Sequence, residues 1–246
     1  MIAGIFHKGS GLGNQLHRYV MTRVLALDKG LEFGMCFPEN FKGSSFMNPD
    51  MGVPVKGLLN EYLEPQTMQG NDDIRDYDWK GVLNIKDFTL VDGEFQGEKY
   101  FEHHLDEIRE WLRVWYLHVE DDVCVINFRG GEYVGVKDLF LPLSYWDNAI
   151  ALMRGKYPGI TFEVHTDDPV TAKDFFPEFP IHTGIQHNWT SIRYAKHLII
   201  SNSSFAILPA LLGDAEEIIA PLHWAGHNKG FQQQLQNVYK RFTYIM

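Results

Sequence analysis

Apolar positions along the chain fall into short dense runs and stretches at helical spacing. The opening run MIAGIF leads into a polar, glycine-rich segment, HKGSGLGNQ. LHRYVMTRVLALDKG follows, with apolar residues three and four positions apart as far as Gly30. This pattern predicts a strand, a glycine loop and an amphipathic helix. Residues 31–77 are rich in Gly, Pro, Asn and Asp with no sustained period, which predicts loops with short elements. GVLNIKDFTLVDGEFQGEKYF is expected to be a strand and loop. HHLDEIREWLRVWYLHV is expected to be a helix with Leu105, Ile108, Leu112 and Trp115 on one face.

The alternation continues with VCVINF, a β-branched strand ending at the turn RGGEY, and a helix over PLSYWDNAIALMRGKYPG that Pro142 or Ser144 starts. ITFEVHTDDP ends a strand on Asp167 and Asp168, AKHLIISNSSFAILPALLGDA places NSSF between strand and helix, and EEIIAPLHW offers a further strand. Strands alternating with helices predict parallel α/β sheets, whose ligands sit outside the carboxyl ends of the strands. Function is therefore expected at the strand tips. The boundary is expected near residues 120–122, giving an N-terminal half, 1–120, and a C-terminal half, 121–246.

Composition narrows the class. The 246 residues allow one large domain or two small ones, and 45% hydrophobic with 22% charged residues exclude a disordered or collagen-like chain. A net charge of −10 sets the overall field against nucleic acid, so an anionic ligand must be held locally. Cys36 and Cys124 have no metal-like spacing and are read as buried thiols of a reducing compartment. The longest apolar stretch, residues 206–212, is far short of the about 20 residues that a spanning helix needs. With no secretory leader at Met1, a soluble, cytoplasmic protein is expected.

Several tips carry candidate chemistry. Gly9, Gly11 and Gly13 alternate before a helix, which suits either close approach of backbone amides to an anion or a plain tight turn. The loop is neither a Walker loop nor a dinucleotide fingerprint. Arg129 suits a bidentate grip on phosphate or a pairing with Glu132 or another acid. Ser203, Ser204 and Phe205 suit the same anion or simple helix capping, and Asp167 and Asp168 suit a ribose or guanine contact or a turn and cap. Metal binding is disfavoured at Asp76-Tyr77-Asp78, at His223 with His227, and at His103 with His104.

Taken in order, these tips resemble the alpha-1,2-fucosyltransferases of glycosyltransferase family 11, within the wider fucosyltransferase superfamily. The family's G-x-G-N-Q appears as Gly11-Leu12-Gly13-Asn14-Gln15, and its G-Y-F-Q-S-E-K-Y-F as GEFQGEKYF at 93–101. Its H-x-R-x-G-D-Y resembles residues 127–133, with Asn127 for His and Glu132 for Asp. S-D-D resembles Thr166-Asp167-Asp168, the N-S-S-F segment appears from Asn202, and the late P-x-x-W is Pro221 to Trp224.

The resemblance implies a GT-B-like fold, two Rossmann-like halves with parallel sheets facing across a cleft, with the nucleotide on the second half and the acceptor on the first. It implies GDP-fucose as the donor substrate, a glycan hydroxyl as acceptor, inversion at the anomeric carbon, and neither cofactor nor metal. Arg129 and Glu132 are the expected catalytic pair, Arg129 at the diphosphate and Glu132 as base. Gly11, Gly13, Asn14, Gln15, Asn127, Asp167, Asp168, Asn202, Ser203, Ser204 and Phe205 are the expected substrate-binding residues. A lipid-linked acceptor would bring the protein to a membrane surface. Replacement of the motif's His by Asn127 leaves open another sugar nucleotide or a binding protein without turnover. The acceptor would be set by loops between 33 and 92.

Overall fold

A computed structural model of the chain describes residues 1–65, 78–225, 233–234 and 239–246. Two compact units, Met1–Arg113 and Val114–Met246, divide it; the sequence reading placed the break between 120 and 121. Each unit is an α/β assembly built on a wholly parallel sheet, the fold class that the alternation of strands and helices predicts.

Unit 1 runs β1 (Ile2–Ile5), α1 (Leu12–Lys29), β2 (Phe33–Cys36), β3 (Asn60–Leu63), α2 (Trp79–Asn84), β4 (Thr89–Asp92) and α3 (Leu105–Trp111). Its sheet has the order β2-β1-β4-β3. The apolar stripe of α1 buries Leu16, Val20 and Val24 with Ile2 and Ala3 of β1 in the core, each Leu, Val or Ile side chain contributing about 1.5–3 kcal/mol. Gly30 ends α1 in the left-handed conformation, at φ 63°, where a side chain would be strained. From β1 the chain steps to β2, crosses to the far edge at β3 and returns to β4 beside β1. The winding therefore reverses between β1 and β4.

Unit 2 continues with β5 (Val123–Phe128), α4 (Leu143–Lys156), β6 (Thr161–Thr166), α5 (Pro169–Phe175), β7 (Ile181–His182), α6 (Ile185–Tyr194) and β8 (His197–Ile200). α7 (Ser204–Leu212), β9 (Glu217–Pro221), β10 (His223–Ala225), β11 (Gln233–Gln234) and β12 (Thr243–Ile245) complete it. Its main sheet has the order β12-β9-β8-β5-β6-β7. Counting only the strands of this sheet in chain order, it is 6-5-4-1-2-3, the order of dinucleotide-binding folds, with the reversal between β5 and β8. On one face Cys124, Ile126, Phe128 and Val164 pack against Tyr145, Trp146, Ala149 and Met153 of α4. The Tyr145 hydroxyl donates to the Ile200 carbonyl at 2.6 Å, satisfying the one polar atom of a buried ring.

The structure corrects the sequence reading at several points. α1 begins at Leu12, so Gly13, Asn14 and Gln15 lie in its first turn rather than in a loop, and only Gly9 of the three alternate glycines has positive φ. Residues 79–84 form a helix because the Asp78 carboxylate caps the Gly81 amide at 3.0 Å. The helix expected through Trp115 stops at Trp111: Leu112 is buried, but the chain then passes into the second unit and Trp115 is 83% exposed. Cys124 is buried, whereas Cys36 is only half-buried. Among the described residues no helix is long and apolar enough to cross a membrane.

Candidate functional site

The order β8-β5-β6 brings three of the expected segments to neighbouring strand tips in unit 2: Asn202 and Ser203 after β8, Arg129 after β5, and Asp167 with Asp168 after β6. Register joins them, since Asn127 pairs with Ile200 on one side and Phe128 with Thr166 on the other. The Arg129 guanidinium donates to Asp167 Oδ2 and, at 2.8 Å, to Glu132 Oε1, while its carbon lies 5.2 Å from the Tyr133 ring centroid. The structure therefore shows the alternative in which Arg129 pairs with acids.

Two consecutive backbone amides complete the cluster. Gly130 donates to Asp167 Oδ1 and Gly131 to Asp168 Oδ2, each at 3.1 Å. A Cβ at Gly130 would lie 2.6 Å from Asp168 Cβ, and Gly131 sits at φ 48° with Asp167 Oδ2 2.7 Å from where its Cβ would be. These glycines let the loop close onto both carboxylates. Asp168 also accepts from the Thr171 hydroxyl and amide, and these hydrogen bonds hold its carboxyl below the usual carboxylate range. Ser203 caps α7, its Oγ accepting from the Phe205 amide at 3.3 Å, and Asn202 donates to the Leu139 carbonyl. Ser204 and Phe205, half-buried, open α7. Asn127 is buried, its Oδ1 taking the Ser201 hydroxyl at 2.9 Å.

In unit 1 the expected residues divide. Gln15 is fully buried, with Nε2 on the Asn40 carbonyl and Oε1 accepting from the Lys42 amide, so both ends of its amide hold the 38–42 segment against α1. Gly13 gives its carbonyl to His17 Nδ1, and Gly11 is the exposed residue before α1. Asn14 Oδ1 accepts from Gln96 Nε2 at 3.2 Å, joining two of the motif segments 82 residues apart.

Sequence reasoning missed the group at the reversal point of unit 1. His7, just beyond β1, meets Asp92, the last residue of β4, with Nε2 to Oδ2 at 2.8 Å. Arg18 Nε lies 3.3 Å from the other oxygen of Asp92 and its Nη1 donates to Ser10 Oγ at 3.0 Å. The His7 side chain is 43% exposed, so a carboxylate-oriented imidazole faces solvent at a strand tip. The available signal was that His7 ends one apolar run and Asp92 another.

Other chemistry lies away from these tips. A cavity of about 300 Å³ in unit 2 is lined by Leu141, Pro142, Ser144, Tyr145, Pro221 and His223, at the end of β9 and the start of α4, and does not include Arg129. Burial lowers the His223 pKa. Asp76, Tyr77 and His227 lie outside the described residues; Asp78 accepts from the Tyr62 hydroxyl at 2.8 Å. His103 and His104 meet Asp28 at 3.0 and 2.8 Å on an exposed surface. A second histidine–carboxylate group, Glu163, His165 and His182, is more enclosed.

No family model matches the chain, and no curated protein matches it. Among solved structures, an E. coli heptosyltransferase WaaC with ADP is similar at 13% identity, over 91% of this chain and 88% of that one, with a TM-score of 0.44.

Proposed function

We propose that the protein is an inverting glycosyltransferase that moves fucose from GDP-fucose to a hydroxyl of a glycan acceptor. One observation carries this reading: at the reversal point of a dinucleotide-type sheet, Arg129 stands at one strand tip and the Ser203 cap of the nine-residue α7 at the next. The fucosyltransferase-like motifs, which supply most of these tip residues, support the choice of donor.

On this reading Arg129 exchanges Asp167 and Glu132 for diphosphate oxygens, joined by the Ser203 and Ser204 hydroxyls and the first amides of α7. Together they neutralise the charge that develops on GDP as the bond to the anomeric carbon breaks, the role a divalent cation fills in other transferases. Asp167 and Asp168 then serve guanine or ribose donors. Within unit 1, His7, oriented by Asp92, is an imidazole able to accept the proton of a hydroxyl, the role the reaction needs of a base. Glu132, tied to Arg129, serves the guanidinium rather than the acceptor. A nucleotide-sugar binder without turnover is the second reading, favoured by the closure of two carboxylates on Arg129.

Thermal-shift titration with GDP, GDP-fucose, GDP-mannose and UDP, each with and without EDTA, tests the reading. Stabilisation specific to guanine nucleotides, with an increment that EDTA leaves unchanged, is the expected result. No response to guanine nucleotides rejects the donor assignment. GDP-fucose binding with neither transfer nor donor hydrolysis selects the second reading.

A further inference from the structure

We propose that Glu163, His165 and His182 form a binding site for a divalent transition metal of the zinc type, clipping the edge strand β7 to β6. Residues 163 and 165 share one face of β6, because side chains alternate along a strand. Parallel register places His182 directly beside His165, and α6 brings His187 against the same rings. The group is therefore assembled from a strand, its neighbour and the helix that follows.

The distances suit one small ion. Glu163 Oε1 is 3.0 Å from His165 Nε2, and Oε2 is 3.5 Å from His182 Nε2. Zinc–nitrogen and zinc–oxygen bonds of about 2.0–2.2 Å in a tetrahedral shell separate neighbouring ligand atoms by about 3.4 Å. The His165 and His182 rings are stacked at 5.0 Å with 24° between their planes. His187 lies 5.1 Å from the first ring and 5.2 Å from the second.

His165 is the most enclosed of the three ligands. Its side chain is fully buried, and Nε2, the nitrogen facing Glu163, makes the ring's polar contact. A metal at Nε2 would take the place of that hydrogen bond and anchor the buried ring. One carboxylate and imidazole nitrogens select zinc, cobalt or nickel over magnesium and calcium, which take oxygen shells. A second cluster, Asp28 with His103 and His104, is more exposed and gives the comparison for the test.

The test uses the untagged full chain, stripped with chelator and titrated with Zn²⁺ by calorimetry and thermal shift, with Mg²⁺ and Ca²⁺ alongside. The expected result is one zinc per chain at this site with a rise in Tm, and no comparable response to magnesium or calcium. His182→Ala and Glu163→Gln should each weaken zinc roughly a hundredfold or more, whereas His103→Ala should leave this binding intact. His182 is partly exposed, so its variant should fold; an unchanged melting transition in chelator would verify this. Zinc binding that His182→Ala leaves unchanged, zinc binding lost with His103→Ala, or no zinc binding by wild type would each overturn the assignment. These readouts need no nucleotide, so they stand or fall separately from the donor reading.

Discussion

The two units reverse their winding at a polar strand tip but distribute charge there in opposite ways. In unit 1 one carboxylate, Asp92, serves two basic side chains, His7 and Arg18. In unit 2 one guanidinium, Arg129, serves two carboxylates, Asp167 and Glu132. Parallel topology directs functional groups to the same place in both sheets, while the side chains decide what chemistry that place supports. The first arrangement leaves an imidazole suited to take a proton. The second holds a guanidinium ready for an anion able to displace its own carboxylates.

The largest expected effect comes from separating the two roles. His7→Ala should lower transfer kcat by about 10²–10⁴-fold, the range for a general base, while the Kd for GDP stays within about twofold. Asp92→Asn should act in the same direction, because the imidazole loses its charged orienter. Steady-state kinetics combined with GDP calorimetry checks both variants. A variant whose kcat is unchanged would remove His7 from the mechanism.

Acid should also separate the units. His17, fully buried in unit 1, donates from Nδ1 to the Gly13 carbonyl, and burial lowers its pKa from 6.5 to about 4. Because the folded pKa lies below the unfolded one, the unfolded state binds this proton more readily. The contribution is complete above the unfolded pKa and is lost as pH falls from 6.5 to about 4, totalling about 3 kcal/mol. His17→Gln keeps a donor for Gly13 and should flatten stability over that window. Hydrogen exchange followed peptide by peptide should show unit 1 loosening over this range in wild type, and less so in the variant.

Next in size is the anion grip. Arg129→Ala should raise the GDP Kd by about 10- to 100-fold, since charge-assisted hydrogen bonds contribute about 1.5–3 kcal/mol each and part of that is already offset by the resident carboxylates. The melting temperature should change little, because the ion pairs lost are partly exposed. Isothermal titration measures the first quantity and a melting scan the second. An unaltered GDP Kd would take Arg129 out of the nucleotide site.

The sequence made one half of this comparison legible and hid the other. Arg129, Asp167 and Asn202 each follow a short strand-like run, so such runs ending in polar residues were enough to mark the unit 2 tips. His7 and Asp92 are 85 residues apart and meet only because β4 returns beside β1, which no local pattern encodes. The same holds for Glu163 and His182, which depend on β7 pairing with β6. Gln15 shows the converse. It sits within a recognisable motif, yet its amide is wholly occupied by backbone groups of the 38–42 segment, a long-range packing fact. Trp115 kept the helical period, but the chain had left the surface that would have given the period its meaning.

The smallest expected effect is the sharpest discriminator. If Glu132 is the base, as the motif position suggests, Glu132→Gln should abolish most turnover. If it instead restrains Arg129, the variant should keep turnover and bind GDP more tightly, because one of two competing carboxylates becomes neutral. Glu132 is 74% exposed on its side chain, so solvent screens the pair and the gain should be modest, about two- to fivefold in Kd, corresponding to about 0.4–1 kcal/mol. The gain should shrink further as salt rises, since screening weakens an exposed pair before it weakens a bound, desolvated diphosphate. Calorimetry of GDP at low and high ionic strength, run beside initial rates for the same preparation, distinguishes the two assignments. Tighter GDP with preserved kcat places the proton acceptor elsewhere and leaves His7 as the group to pursue. Collapsed kcat with unchanged GDP affinity restores Glu132 to that role and reduces the unit 1 pair to a structural contact.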